Sequence, residues 1–243
     1  MSHDTPICDY EGSDYVEFWN GRQYEDSCER IALARLLPRG GERLNDLGAG
    51  FGRLADLYRS FTHVVLMDRA LSQMQEARRR LGADPRFSFV VADAYALPFR
   101  AGAADDVISV RMLHHLVDVP KALREITRVL KDGGAYITEY ASKRHLKAML
   151  RYALRRQQES PFSERPHEFA RLNFDFHPRW MEQQLRRAGL RVEARRAVSH
   201  FRVGALKRSV PTPVLVRADQ ALQRLGGLWP WTPSIFVRTR KEE

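Results

Sequence analysis

The sequence predicts an α/β fold: a doubly wound, mostly parallel sheet with helices on both faces. From about Arg43 onward, short apolar runs alternate with helical patterns, the alternation that builds a parallel sheet. The first run opens into Leu44-Asn45-Asp46-Leu47-Gly48-Ala49-Gly50-Phe51-Gly52-Arg53-Leu54, a glycine loop where a backbone can approach a ligand beside a helix N-terminus. At 243 residues and 44% hydrophobic, the chain can bury the core of one large domain, or of a domain with an appendage.

Residues 43–47, 63–67, 87–91, 106–110 and 135–140 read as strands, rich in Val, Ile and Phe. Residues 53–60, 72–81 and 120–130 read as helices. The last carries Leu123, Ile126, Thr127 and Leu130 at helical spacing and stops at Asp132-Gly133-Gly134. Residues 142–158 predict an amphipathic helix with Leu146, Met149, Leu150, Ala153 and Leu154 on one stripe. Arg144, Lys147, Arg151 and Arg155 lie opposite. That helix could pack on the domain, cover a pocket, or lie on an anionic membrane surface; packing is the expected use, since its apolar stripe holds no Trp or Phe. His177-Pro178 opens another helix, residues 190–198 a strand, 214–225 a helix and 234–239 a final strand. Seven strands result, with an insertion after the fifth.

Charge is unevenly placed. Residues 1–140 hold 18 Lys/Arg against 21 Asp/Glu, whereas residues 141–243 hold 22 against 9. The later segment is read either as facing an anionic partner or as solvated helix faces. The N-terminus lacks a signal-peptide pattern, no run is long enough to span a membrane, and two cysteines, Cys8 and Cys28, make no disulfide framework or zinc spacing. A reduced, cytoplasmic protein without a metal is expected.

The glycines alternate, and Arg53 stands where a dinucleotide fingerprint wants its third glycine or alanine. The loop therefore suits a cofactor without a pyrophosphate. Asp68 ends the second strand, 20 residues after Gly48, where a carboxylate can accept both ribose hydroxyls of an adenosine; its other reading is a cap for the helix from about Ala70. Asp93 ends the third strand, placed to receive an adenine amino group beside Ala92 and Ala94, or else to form a turn.

In series, LNDLGAGFGRL, LMDRA, VVADAYALPF, DDVISVRMLHHLVD and LREITRVLKDGGAYI resemble the class I S-adenosylmethionine-dependent methyltransferases, in the branch of the ubiquinone/menaquinone-biosynthesis enzymes. The resemblance implies a Rossmann-like, seven-stranded sheet whose last strand runs antiparallel beside the sixth, and a helical lid after the fifth. It divides the chain into an N-terminal helical cap (1–42), a cofactor-binding core (43–140), a lid or substrate insertion (141–177) and a completion of the sheet (178–243). It implies S-adenosyl-L-methionine as cofactor and S-adenosyl-L-homocysteine as product. Asp46, Gly48, Ala49, Gly50 and Gly52 would hold the methionine part, Asp68 with its neighbour Arg69 the ribose side, and Asp93 with Ala94 the adenine. Arg111 and Met112 would be cofactor-loop residues.

In similar enzymes a segment like residues 15–26 folds over the methionine end. Tyr15, Trp19, Arg22 and Tyr24 are candidates there, Arg22 for the cofactor carboxylate; a hydrophobic clasp on the sheet edge is the alternative. Methyl transfer from a sulfonium needs positioning more than protein chemistry. His114 and His115, after the fourth strand, are candidates for a general base should the acceptor lose a proton, or packing beside the cofactor. Strand alternation is expected to send the two rings in different directions. Phe162, Phe169, Phe174, Phe176 and Trp180 would line an acceptor pocket or form a small core of the insertion. The predicted activity is methyl transfer to a small-molecule or lipid-like acceptor, on oxygen or carbon. The loop VRMLHH lacks the motif of methyltransferases acting on exocyclic base amines, which counts against that nucleic-acid activity. An RNA or other polyanion methyltransferase and a non-catalytic S-adenosylmethionine-binding protein are the alternatives.

Overall fold

The structure is a computed structural model that describes residues 6, 10–227, 229 and 231–242; Cys8 lies outside them. Nine strands and seven α-helices follow one another among the described residues. They are α1 (Gln23–Leu36), β1 (Gly41–Leu47), β2 (Phe61–Asp68), α2 (Leu71–Leu81), β3 (Phe87–Val91), β4 (Ala104–Ser109), α3 (Val119–Val129) and β5 (Leu130–Ala141). Next come α4 (Leu146–Ala153), β6 (His167–Ala170), β7 (Asn173–Asp175), α5 (Pro178–Arg187), β8 (Leu190–Val198), α6 (Gly204–Ser209), α7 (Thr212–Gly226) and β9 (Ser234–Lys241).

Seven strands form one sheet in the order β3-β2-β1-β4-β5-β9-β8. β1 through β5 pair in parallel, and β9 is antiparallel to both β5 and β8. The strand alternation of the sequence divides its apolar residues between two cores. Val107 of β4 packs with Leu123, Ile126 and Val129 of α3 on one face. Ile108 packs with Cys28, Ala32 and Leu33 of α1 on the other. Sequence order then sets where the loops gather: every parallel strand delivers its carboxyl end to one edge, where an open sheet binds ligands.

Helix starts follow their local chemistry. The Asp118 carboxylate accepts from Lys121 N–H at 2.9 Å with Pro120 in the first turn of α3, and His177 Nδ1 accepts from Arg179 N–H at 3.3 Å with Pro178 opening α5.

Two helices expected from the sequence are cut short. The helix expected over residues 53–60 is a single 3-10 turn, Ala55–Tyr58; Ala55 and Leu57 bond three residues back, to Gly52 and Leu54 carbonyls. The helix expected over 142–158 shrinks to α4. Its first residues are drawn to the sheet edge, Ser142 N–H donating to Pro233 O at 2.9 Å and Lys143 N–H to Phe176 O at 3.1 Å. Beyond α4, Arg155 adopts a left-handed φ of 55°, and Lys143 Nζ bonds Glu159 at 2.7 Å. The insertion also contains an antiparallel hairpin, β6 with β7, that no alternation in the sequence announced.

The apolar stripe of α4 does not pack on the domain, contrary to expectation. Leu146, Leu150 and Leu154 are 63%, 58% and 54% exposed. The insertion's aromatics divide as well: Phe176 is buried and stacks on Trp180 at 5.2 Å in the main core, while Phe162 and Phe169 face solvent. No helix of the described residues is long and apolar enough to cross a membrane.

Candidate functional site

The glycine loop leaves β1 at the carboxyl edge. Gly48, Gly50 and Gly52 all take left-handed φ values, 75°, 52° and 76°, which side-chain-bearing residues adopt at a cost. Close approach fixes two of them independently. A Cβ on Gly48 would stand 2.7 Å from the Met112 side chain, and one on Gly52 would stand 2.6 Å from Leu81 Cδ1. Gly52 therefore serves loop-to-helix packing, whereas Gly48 and Gly50 line the cleft. The loop is laced to β2: Gly48 and Ala49 N–H donate to Met67 O at 2.8 and 2.9 Å, and Gly50 N–H donates to Asp68 Oδ2 at 2.9 Å. Asp68 Oδ1 also accepts from Ala70 N–H at 3.0 Å, so its carboxylate both orders the loop and faces the cleft.

Arg69, Ala92, Ala94, Arg111, Met112, His115 and Leu116 complete much of the cleft wall. A smaller recess beside it shares Tyr15 and Gly48 and is lined by Asp46, Ala49 and Arg53. Asp46 is buried and accepts from Tyr58 Oη at 2.8 Å. Burial pushes its carboxyl up to about 7; the Tyr58 hydrogen bond and the Arg53 charge oppose that rise, and the Asp68 charge adds to it.

The N-terminal stretch straps the cleft. Tyr10 Oη meets His115 Nε2 at 3.0 Å, Gly12 N–H donates to Ser72 Oγ at 3.0 Å, and Gln73 Nε2 donates to Ser13 O at 3.2 Å. Tyr15 lies with its ring centroid 5.9 Å from Phe51 of the glycine loop. Two guanidiniums lie over the Trp19 ring, Arg53 at 3.6 Å and Arg111 at 5.0 Å from its centroid. Both arginines end on Glu29 of α1. Arg111 has a left-handed φ of 57°, held by Glu29 on its side chain and by Glu139, which accepts its N–H at 3.0 Å.

Arg22 and Tyr24 do not reach the cleft. Arg22 stacks on Phe18 at 3.7 Å. Tyr24, on the helix face turned into the core, donates to Asp219 of α7 at 3.0 Å and accepts from Phe201 N–H at 2.9 Å. Asp93 ends β3 as a turn residue, its Oδ1 accepting from Tyr95 N–H at 2.8 Å and its Oδ2 lying 3.8 Å from Arg69; it stands behind the wall formed by Ala92 and Ala94. His114 and His115 do not diverge: a 3-10 turn, Leu113–His115, replaces strand alternation there, and the rings lie 3.9 Å apart. Burial lowers both imidazoles, His114 well below its usual value and His115 to about 4, where the Leu172 backbone partly offsets it. Both are neutral at pH 7.

Sequence reasoning missed Tyr10, Gln73 and Glu29. Gln73 lies one turn into α2 with Oε1 buried and without a hydrogen-bond partner among the described residues. A glutamine there reads as solvated; the glycine loop and the N-terminal strap, through Ser13, cover it. Glu29 had one signal: an acidic residue on the helix face that also carries Cys28, Ala32 and Leu33.

Comparison with known proteins agrees with this geometry. Residues 45–138 match the family described as a methyltransferase domain. Over 114 residues the chain is 41% identical to a demethylmenaquinone methyltransferase of Clavibacter sepedonicus, covering 46% of each. Over 114 residues it is 39% identical to a malonyl-acyl-carrier-protein O-methyltransferase of Geobacter sulfurreducens, covering 44% of this chain and 42% of that protein. The chain thus matches less than half the length of these curated relatives. A solved methyltransferase in complex with the Trm112 methyltransferase activator of Haloferax volcanii superposes with a TM-score of 0.64 at 18% identity, covering 93% of both chains. Residues 45–138 thus match a methyltransferase domain, in a chain that shares its fold with solved methyltransferases.

Proposed function

We propose that this protein is an S-adenosylmethionine-dependent methyltransferase acting on oxygen or carbon of a small or lipid-like acceptor. The observation that carries the reading is the convergence of the glycine loop and Asp68 on one cleft, within a domain matched to the methyltransferase family. The cleft fits the cofactor. Ala92, Ala94, Met112 and Leu116 give a flat apolar wall for the adenine, and Asp68 is an acceptor for ribose hydroxyls. The Gln73 Oε1, buried without a partner among the described residues, adds a second acceptor. Gly48 lines the cleft, and a Cβ there would push Met112 out of the cleft wall. Asp46, Ala49 and Arg53 frame the recess suited to the amino-acid end.

When bound, S-adenosylmethionine supplies a sulfonium methyl that is already electrophilic. The chain's residues then have three tasks. The strap from Tyr10 to Trp19 covers the cleft and excludes water. Glu29, Arg53 and Arg111 hold that strap against the glycine loop. The neutral His115 lines the cleft, with the His114 ring 3.9 Å away, and offers hydrogen bonding to an acceptor at pH 7 without carrying charge.

The relatives named for demethylmenaquinone and for malonyl-acyl-carrier protein support a small or lipid-like acceptor. So does the solvent-facing apolar stripe of α4, flanked by Lys147, Arg151 and Arg155, which suits peripheral contact with an anionic membrane. The test incubates methyl-labelled S-adenosylmethionine with an extract of the source cells and separates organic, aqueous and macromolecular fractions. Label in the organic or small-molecule phase is expected. Label confined to RNA would replace the acceptor class, and tight cofactor binding with no transfer would favour a non-catalytic role.

A further inference from the structure

A second cavity opens at the same carboxyl edge, where β5 and β8 end and β9 begins. His145, Lys147, Ser199, Arg202, Val203 and Trp231 line it, and no carboxylate does.

His200, on its wall, is committed to Asp219 at 2.9 Å, and His145 Nδ1 to Ala148 N–H at 3.2 Å; Lys147, Arg202 and Ser199 are the groups left to face a ligand. Lys147 is exposed at the start of α4. Arg202 lies 4.0 Å from its nearest carboxylate, Glu25, which Lys207 already engages at 2.7 Å. Ser199 is 1% exposed, takes a left-handed φ of 67° and has no hydrogen-bond partner for its hydroxyl among the described residues. A buried hydroxyl of that kind is uncommon without a ligand or water to satisfy it. The first turn of α4 is capped by the protein itself, Leu146 N–H donating to Trp231 O at 2.9 Å, so the ligand is left to the side chains. Around these groups stands an apolar rim: Leu146, Val203 and Trp231 are 63%, 50% and 48% exposed.

Two cations and a buried hydroxyl recognise oxyanions, and the rim recognises hydrocarbon. We propose that this cavity binds a carboxylate or phosphate group carried by an amphipathic methyl acceptor. The assignment of that ligand as the acceptor rests on the methyltransferase reading above; the oxyanion site itself does not.

Calorimetry on the full chain tests the two separately. S-adenosylhomocysteine is titrated first, then octanoate, octyl phosphate and the neutral 1-octanol are titrated into the saturated protein. The anionic probes are expected to bind and octanol to bind at least about tenfold more weakly. Lys147→Gln and Arg202→Gln should each weaken the anions about tenfold, and Ser199→Ala should weaken them less, all with unchanged S-adenosylhomocysteine affinity. Preference for octyl phosphate would assign a phosphate, and preference for octanoate a carboxylate. No binding of either anion, equal binding of octanol, or variants that bind like the parent would overturn the site. A chain that takes the anions but not S-adenosylhomocysteine would overturn the methyltransferase reading and leave the oxyanion cavity standing.

Discussion

Arg111 Nε donates to Glu29 Oε1 at 2.9 Å across 82 residues of sequence, and Arg53 takes the other oxygen of the same carboxylate at 2.8 Å. Glu29 is 1% exposed, so the pair of guanidiniums shares one buried counter-charge. Glu29→Gln keeps the shape and removes that charge, leaving Arg111 without its carboxylate and Arg53 with Asp26 alone. Breaking a buried pair from one side costs about 3–5 kcal/mol, which for a chain of this size lowers the melting temperature by roughly 10 °C. Thermal denaturation followed by circular dichroism checks it. A shift of under about 2 °C would mean that the network adds no net stability.

Asp68 carries the second prediction, because it both orders Gly50 and faces the cleft. Asp68→Ala removes a charged acceptor from the loop and from any bound ribose. Each such charged hydrogen bond is worth about 1.5–3 kcal/mol, so S-adenosylhomocysteine affinity should fall about a hundredfold or more in calorimetry. Unchanged affinity would remove the main support for the cofactor assignment.

Both residues show what could be read from the sequence and what could not. Asp68 was legible because it is fixed by local order: a strand end, an interval from the glycine loop, and the pattern of a parallel sheet. The seven strands were legible from the alternation of apolar runs and helical patterns, whereas the antiparallel last strand came from the resemblance to methyltransferases. Tyr24 and Arg22 were misread because their sequence neighbourhood does not say which face of α1 meets the cleft; Asp219, 195 residues away, decides it. The shortening of α4 was equally invisible, since its cause is hydrogen bonds from Ser142 and Lys143 to Pro233 and Phe176. Propensity yields to such contacts.

Asp46 sets a pH dependence. Its ordinary value is 3.8, and burial raises it to about 7 in the folded chain despite Tyr58 and Arg53. Between those values the folded state binds a proton that the unfolded state has released. The stability from the protonated form is therefore complete in acid and is lost as pH rises through about 7. Asp46→Asn abolishes this dependence. The melting temperature of the parent should fall relative to the variant between about pH 5 and about pH 8. Parallel curves would show that Asp46 stays ionised in the fold.

The histidine pair makes the fourth prediction. Burial keeps His114 and His115 uncharged across the neutral range, with His115 at about 4. Once an acceptor is identified, kcat/KM should show no histidine inflection between about pH 6 and about pH 8. An inflection there that disappears in His115→Asn would make that imidazole a titrating base and contradict its burial behind Tyr10.

The last prediction concerns α4, whose leucines point outward against the expectation that they would pack. An exposed apolar stripe next to Lys147, Arg151 and Arg155 either weakens solubility or meets a surface. Leu150→Ser combined with Leu154→Ser removes about half of that stripe while leaving the cavity-lining residues intact. In flotation with vesicles containing anionic lipid, the parent should co-float and the double variant should lose most of its binding, as expected for lost apolar burial at an interface. Raising salt should weaken the parent's binding too, because the flanking cations act through screened charge. Equal recovery of parent and variant would assign the stripe to a protein contact instead, since a membrane gains its affinity from those same side chains.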